Sequence, residues 1–291
     1  MQATNKLILG TVQFGLDYGI NNSSGKPDQN TVNKILISAY QSGVRILDTA
    51  EAYGNAHDVI GNFHRAHPQI KFEVITKLPS DSNGGIHQKI EGYLEQLDVQ
   101  YLNSLLFHSF DSYIQSAASL DLLNSYKNSG KLKQLGVSVY TNYEMSVVID
   151  DDRVDVIQLP FNLLDNVNLR GELMAEAKSK GKNIHTRSAF LQGLFFLSLQ
   201  SEKKIVAELR NELEYIHRLS EKYEMPVQKI ALNYCLQQRN INNVLIGVDS
   251  EEQLLQNITY AGCHLTDELM HAINNIAVKD VDLLNPSLWK Q

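Results

Sequence analysis

The sequence predicts an α/β fold built as a single closed barrel of eight parallel strands, a (β/α)8 or TIM barrel. Three observations lead there. Eight short apolar runs rich in β-branched residues recur along the chain, and helix-like segments separate them. That alternation is the signature of a parallel sheet. The 291 residues, 43% of them hydrophobic, also suit one large barrel, for which about 250 residues is typical. An open doubly wound sheet is the alternative arrangement of the same pattern.

The strands are expected, in order, at Leu7–Leu9, Val44–Leu47, Phe72–Thr76, Ser104–Phe107, Gln134–Val137, Val154–Leu159, Asn183–Thr186 and Asn243–Ile246. Each is short, apolar and bounded by polar or turn residues. Helices are expected at Thr31–Gln41, Ala56–Arg65, His87–Leu97, Ile114–Asn128, Asn168–Lys180, Lys203–Tyr223 and Glu251–Tyr260. No Pro/Ser-rich linker divides the chain, so residues 1–291 are expected to form one barrel domain. Asn21–Asn30 reads as a polar loop. Arg187–Ser201 is a long connection of the kind that often carries function. The tail from Lys279 to Gln291 holds the only tryptophan, Trp289, and is expected either to pack over the barrel mouth or to be mobile.

The formal charge of −7 and isoelectric point near 5.7 argue against broad nucleic-acid or anionic-membrane binding. No 18-residue apolar run is present, so no spanning helix is expected. Two cysteines and no secretory leader pattern fit a soluble protein of the reducing cytoplasm.

In such barrels chemistry sits at the C-terminal ends of the strands. Asp48, Lys77, His108 and Ser138 follow the second to fifth apolar runs, Gln158 closes the sixth, and Tyr53 lies five residues after Asp48. The set suits reduction of a carbonyl. Negative charge develops on the carbonyl oxygen as hydride arrives, and a donor must stabilise it and deliver a proton. A tyrosine holds its proton at neutral pH, and a nearby lysine makes it more acidic. Asp48 is placed to hold the lysine, and His108 to orient the carbonyl. Taken singly, each residue has a bland reading: an Asp–Lys pair is often structural, a histidine is often a satisfied core residue, and Tyr53 is one of 13 tyrosines.

The motifs around these residues resemble the aldo-keto reductase superfamily. They are D-T-A-E-A-Y-G-N (Asp48–Asn55), I-T-K (Ile75–Lys77), L-L-F-H-S (Leu105–Ser109), L-G-V-S (Leu135–Ser138), I-Q-L-P-F-N (Ile157–Asn162) and L-I-G-V-D-S-E-E-Q-L-L-Q-N (Leu245–Asn257), with the opening L-G-T-V-Q-F-G (Leu9–Gly15). They occur in the family's order across about residues 7–277. The resemblance implies a (β/α)8 barrel that binds NADP(H), less often NAD(H), without a Rossmann fold. It implies a catalytic tetrad of Asp48, Tyr53, Lys77 and His108. By the same resemblance Gly10, Thr11 and Val12 lie along the nicotinamide, Ser138 and Gln158 hold its carboxamide, and Ser188, Leu191 and Gly193 follow the pyrophosphate. Gly247, Ser250, Gln253 and Asn257 would meet the adenosine end. Ser250-Glu251-Glu252-Gln253 is also a capping-box pattern, whose helix start is suited to a phosphate.

Three departures from the family pattern stand out. Arg187 replaces a tyrosine that stacks on the nicotinamide; a guanidinium can stack in its place or clamp an anionic substrate. Val139 replaces an asparagine that contacts the carboxamide. Gly247 and Gln253 stand where some members carry basic residues that grip a 2′-phosphate, and Asp249 would oppose that phosphate if it points inward.

Gln13, Phe14, Tyr18, Phe110, Tyr140 and Phe161, with Tyr53 and His108, are the expected substrate-side residues. L-G-T-V-Q-F-G-L-D-Y-G-I and R-S-A-F-L-Q-G resemble members seen in surface-carbohydrate biosynthesis. A sugar-derived or nucleotide-linked carbonyl would follow, with Arg187 or Lys182 near its phosphate or carboxylate. Two other functions share the residues: a cofactor-binding regulatory subunit with little turnover, and a lyase using Lys77 as a Schiff-base nucleophile. Asp150–Asp152 with Asp155 read as a solvated loop, His64 and His67 lack the partners of a zinc site, and Cys235 and Cys263 read as small buried residues.

Overall fold

Eight parallel strands close into a barrel in sequence order: β1 (Leu7–Gly10), β2 (Ile46–Asp48), β3 (Glu73–Leu78), β4 (Leu102–Phe107), β5 (Leu132–Ser138), β6 (Val156–Pro160), β7 (Asn183–Arg187) and β8 (Asn243–Gly247). The ladder from β1 to β8, with Gly10 opposite Gly247, closes the cylinder and removes every sheet edge. This computed structural model describes residues 3–22, 25–79, 85–116 and 119–289. Parts of the expected Asn21–Asn30 loop, the Ile114–Asn128 helix and the C-terminal tail therefore lie outside the described residues.

The barrel interior shows how sequence places the site. Ile8, Ile75, Leu106 and Val156 form an apolar plug separate from the main core, with Ile46 and Leu245 packed against it. Side chains two positions apart on a strand face the same way. Two residues beyond the plug positions come Gly10, Asp48, Lys77, His108, Gln158 and Gly247. The polar floor is thus one pleat step above the aliphatic plug. On β5 the plug position is Gly136, where a Cβ would fall 2.3 Å from Leu106 Cδ2, so glycine makes room for that leucine. On β7 the equivalent position is His185, buried inside the barrel rather than an aliphatic.

The main core lies outside the barrel wall, between the strands and the surrounding helices. Amphipathic helices pack there, among them Gln29–Gln41, Ala56–Ala66, Ile86–Leu97 and Arg210–Lys222. Among the described residues four helices are absent from the sequence reading: the single turn Val12–Gly15, and Asn142–Ile149, Val227–Leu236 and Asp267–Asn274. Two expected helices are shorter pieces. Ile114–Asn128 resolves into Phe110–Gln115 and Leu120–Asn128, and Lys203–Tyr223 into Lys204–Glu208 and Arg210–Lys222. Ser109 caps the first of these with a reciprocal capping box, which starts a helix four residues earlier than expected.

The tail does pack across the barrel end. Leu284 is buried, the Trp289 indole donates to the Leu283 carbonyl, and Pro286 with Ser287 forms part of the wall of the large cleft. No described helix is long and apolar enough to cross a membrane. Among the described residues no group of three or more His, Cys, Asp or Glu side chains gathers as a metal would require. Asp150, Asp151 and Asp155 each pair instead with a cation: Lys180, Arg153 and Lys127 respectively. His64 is held by the Leu97 carbonyl and the Phe72 N–H.

Candidate active site

A cleft of about 590 Å³ runs over the C-terminal ends of the strands. Tyr53, Lys77 and His108 line one end of it. Asp249, Gln253, Gln256 and Asn257, on and before the helix Glu251–Tyr260, line the other.

At the first end Lys77 is the hub. Its Nζ lies 2.5 Å from Asp48 Oδ1, donates to the Thr49 carbonyl at 2.9 Å, and sits 3.4 Å from Tyr53 Oη. Gln158 Nε2 donates to the second Asp48 oxygen at 2.8 Å. Asp48 and Lys77 are both buried. Burial pulls the Lys77 ammonium down, but the Asp48 charge, Tyr53 and the hydrogen bonds to both together outweigh it, so the ammonium stays protonated well above neutrality.

Tyr53 is pushed up by burial, against the pull of Lys77. The sequence-based expectation that the lysine sets the phenol's acidity is thus incomplete, because desolvation is the larger effect. The hydroxyl keeps its proton through neutral pH. His108 stands edge-on to Tyr53, with ring centroids 5.7 Å apart. Burial, together with Lys77 and Arg187, holds it down to about 4, so it is a neutral imidazole at pH 7. Neutral imidazole can hydrogen-bond a carbonyl without adding charge.

Tyr53 is placed by close backbone packing. A Cβ on Gly15 would fall 1.8 Å from the Tyr53 carbonyl oxygen, and one on Gly54 would fall 2.5 Å from the Gly15 oxygen. Glu51, two residues before Tyr53, is clasped by Lys89 and Tyr93 of the helix Ile86–Leu97. Thr11 ties β1 to β2 by donating both its N–H and its hydroxyl to the Asp48 carbonyl at 3.0 Å.

The cleft brings together most of the expected residues. Gly10, Val12, Gln13, Tyr18, Ser138 and Tyr140 line it, as do Gln158, Arg187, Ser188, Gly193, Gly247, Gln253 and Asn257. Several expectations are corrected. Phe161 is fully buried and stacked on Tyr234, behind the barrel wall rather than at the mouth. Phe14 is likewise fully buried. Phe110 packs on Tyr113 and Tyr143 beside the cleft, outside its wall. Leu191 points into the core, and Thr11 is spent on the Asp48 strand end. Ser250 caps its helix by accepting the Gln253 N–H. The capping box is incomplete, because Gln253 Oε1 takes the Asp249 N–H instead. Lys182 enters β7 at its N-terminal end and donates to the Asp151 and Val154 carbonyls, at the face opposite the cleft.

Sequence reading missed Asn21, Asn22, Gln192, Phe196, Gln228 and the tail pair Pro286–Ser287, all of which line the cleft. One signal was present for Gln192, which lies in the long connection after β7. Ser188, Leu191, Gln192 and Gly193 there adopt left-handed backbone conformations. Such conformations at non-glycine residues cluster at functional sites. Gln192 Nε2 reaches Tyr18 Oη at 3.0 Å, joining the two rims.

The cleft fits a dinucleotide. Gln158 Oε1 and Gln13 Oε1 are buried without a hydrogen-bond partner among the described residues, and both residues line it. Buried polar atoms of that kind imply a ligand or water. Ser138 and Gln158 together offer a hydroxyl and an amide oxygen to a carboxamide.

Residues 6–278 match the family model described as the aldo/keto reductase family. The chain belongs to that family. As an aldo/keto reductase it is an oxidoreductase that carries out nicotinamide-dependent carbonyl reduction. Similar proteins include the NADH-specific methylglyoxal reductase of Escherichia coli K12, 20% identical over 84% of this chain and 86% of that one. Another is probable aldo-keto reductase 1 of Glycine max, 24% identical over 94% of this chain and 86% of that one. Among solved structures, a holo-form aldo-keto reductase from Bacillus halodurans superposes with a TM-score of 0.75 at 18% identity, covering 94% of this chain and 92% of its own. The glycerol dehydrogenase of Gluconobacter oxydans gives a TM-score of 0.72 at 20% identity, covering 93% and 90%. These structures share the fold of this aldo/keto reductase.

Proposed function

We propose that this aldo/keto reductase reduces a small aldehyde or ketone with Tyr53 as the proton donor, and that it uses NAD(H) in preference to NADP(H). One observation carries the first part: the buried Asp48–Lys77–Tyr53 chain stands beside neutral His108 at the end of the cleft.

A nicotinamide cofactor, when bound, supplies hydride to the carbonyl carbon. Tyr53 Oη then gives its proton to the carbonyl oxygen as charge develops there. Lys77 stabilises the phenolate that Tyr53 momentarily becomes. Asp48, with both oxygens engaged, holds the lysine in place. His108 orients the carbonyl by a neutral hydrogen bond. A Schiff-base lyase is opposed by the same geometry, since the nucleophile needs a free amine and Asp48 keeps Lys77 protonated. The regulatory-subunit reading has no observation in its favour.

Gln158 and Ser138 would hold the carboxamide, and the backbone around Ser188 and Gly193 would follow the pyrophosphate. The resemblance favours NADP(H), but the far end of the cleft supports NAD(H). The only cations among the described residues that line the cleft are Lys77 and Arg187, and neither is in the far-end set of Asp249, Gln253, Gln256 and Asn257. Asp249 lines that end, and burial pushes its carboxyl up. A 2′-phosphate there would meet a carboxylate and amides rather than a guanidinium or ammonium. The free cysteines Cys235 and Cys263 fit the cytoplasm. The names of the relatives do not point to surface-carbohydrate assembly; the amide- and hydroxyl-rich wall of Gln13, Tyr18, Asn21 and Gln192 is compatible with a sugar-derived carbonyl.

The test is Tyr53→Phe. NADH binding, followed by fluorescence, should persist while turnover, followed by loss of cofactor absorbance, should fall by about 10²–10⁴-fold. Near-native turnover would sink the assignment.

A further inference from the structure

The proton-transfer residues leave one cleft cation unused. Arg187 closes β7 two residues beyond the inward-facing His185, which brings it onto the cleft wall. Its guanidinium carbon lies 4.0 Å from the centre of the Tyr140 ring, and one nitrogen donates to the Val139 carbonyl at 3.3 Å. Stacking and the backbone contact fix its plane. Among the described residues no carboxylate forms an ion pair with it. The buried Asp165 senses its charge but is gripped by Arg170 through both oxygens.

We propose that Arg187 is an anion-binding residue for the substrate, so that the preferred carbonyl compounds carry a carboxylate or phosphate group. The proposal rests on the reductase reading above and names the substrate class of that site. Three arguments support it. First, a guanidinium has five donors in a fixed fork suited to carboxylate or phosphate, and Arg187 spends one of them. Second, the local charge is unbalanced. Lys77 is neutralised by Asp48, His108 is uncharged at neutral pH, and the one acid among the described residues that line the cleft, Asp249, belongs to the opposite end. Arg187 therefore leaves the reacting end with a net positive charge. Third, its field is felt at Tyr53, His108 and Tyr18, so the anion it attracts is beside the proton donor. A partly buried cation without a counter-ion is costly unless a ligand supplies one.

A cofactor diphosphate offers the same anionic chemistry, so the experiment must separate the two sources. Arg187→Gln and Arg187→Lys are compared with wild type in three measurements. The first is NADH affinity by fluorescence. The second is binding of inorganic phosphate and of oxalate to the NADH-loaded enzyme by calorimetry. The third is the ratio of kcat/KM for glyceraldehyde 3-phosphate to that for glyceraldehyde.

The expected result is that wild type binds at least one of the two anions. Arg187→Gln should weaken that binding by about 10- to 100-fold and lower the substrate ratio by a similar factor, chiefly through KM. Arg187→Lys should restore part of both. NADH affinity should fall by much less than anion affinity. An equal loss for both substrates in kcat would make Arg187 a stabiliser of transition-state charge and overturn the proposal. NADH affinity falling as far as anion affinity would assign it to the cofactor and overturn it too. So would a wild type that binds neither anion while loaded with NADH. A wild type that binds no NADH at all would instead remove the reductase reading underneath.

Discussion

Gln158 Nε2 donates to Asp48 Oδ2 at 2.8 Å from a strand 110 residues away in sequence, across the barrel interior. With Lys77 on the other oxygen, the carboxylate has no rotational freedom left. The oxygen of that amide, Gln158 Oε1, has no partner among the described residues. One side chain thus fixes the counter-ion with its nitrogen and offers its oxygen to the cleft. Gln158→Met should lower stability by about 1.5–3 kcal/mol, the usual cost of a lost hydrogen bond to a charged group. It should also weaken NADH binding. Urea titration and fluorescence read the two separately, and unchanged NADH affinity would make Gln158 purely structural.

The Asp48–Lys77 pair gives a sharper dissection. Lys77→Met strands a buried carboxylate, which should cost about 3–5 kcal/mol and abolish turnover. Adding Asp48→Asn to that variant should recover much of the stability, since no unpaired charge remains, yet none of the turnover. Recovery of turnover in the double variant would show that Lys77 is not needed to acidify Tyr53.

Gly15 is expected to act through Tyr53. An alanine there cannot fit 1.8 Å from the Tyr53 carbonyl, so the loop must shift. Gly15→Ala should lose about 1–3 kcal/mol of stability. Its kcat should fall more than its NADH affinity, because the clash falls directly on Tyr53, whereas Ser138, Gln158, Gln253 and Asn257 of the cleft wall come from other elements. Equal losses in both would mean that the whole cleft deforms.

Two histidines should make the protein acid-sensitive. His108 and His185 are both held down to about 4 by burial, whereas an unfolded histidine titrates near 6.5. Between those values the unfolded chain binds more protons, so stability falls as pH drops from about 6.5 to about 4. The loss should be on the order of 1–3 kcal/mol for each histidine and should persist below that window. Denaturant midpoints measured from pH 7 to pH 4 would trace it, and His185→Gln should flatten the slope whatever its effect on the absolute value.

Cofactor choice should follow the far end of the cleft. Gln253→Arg combined with Asp249→Ser should shift the ratio of NADPH to NADH affinity toward NADPH by about 10-fold or more, the scale of one charge-assisted contact. Dissociation constants from fluorescence titration decide it. Tighter NADPH binding by the unaltered protein would overturn the stated preference.

Much of this molecule was legible in its sequence. All eight strands announce themselves as short apolar runs, because buried parallel strands must be apolar on both faces. The elements that escaped had weaker local signals. Asn142–Ile149 carries a Ser-Val-Val-Ile run that has no clear helical stripe, and only its capping box, Thr141 with Glu144, marks its start. Val227–Leu236 is buried at nearly every position, so it lacks the polar face that betrays a surface helix.

By itself, then, the sequence pointed to the barrel and singled out Asp48, Tyr53, Lys77 and His108 as candidates. Asp48, Lys77 and His108 follow apolar strands, and Tyr53 came from the motif that begins at Asp48. Tertiary structure alone decided which aromatics reach the cleft, that Phe161 stacks on Tyr234 while Tyr140 stacks on Arg187, that Lys182 sits at the opposite face, and that the tail completes the wall. The physical reason is that strand register and the spacing between neighbours across the barrel determine which residues meet. Those distances join positions tens to hundreds of residues apart, where no local periodicity can report them. The same holds for Tyr53, whose phenol is made less acidic by burial among groups the chain gathers only on folding.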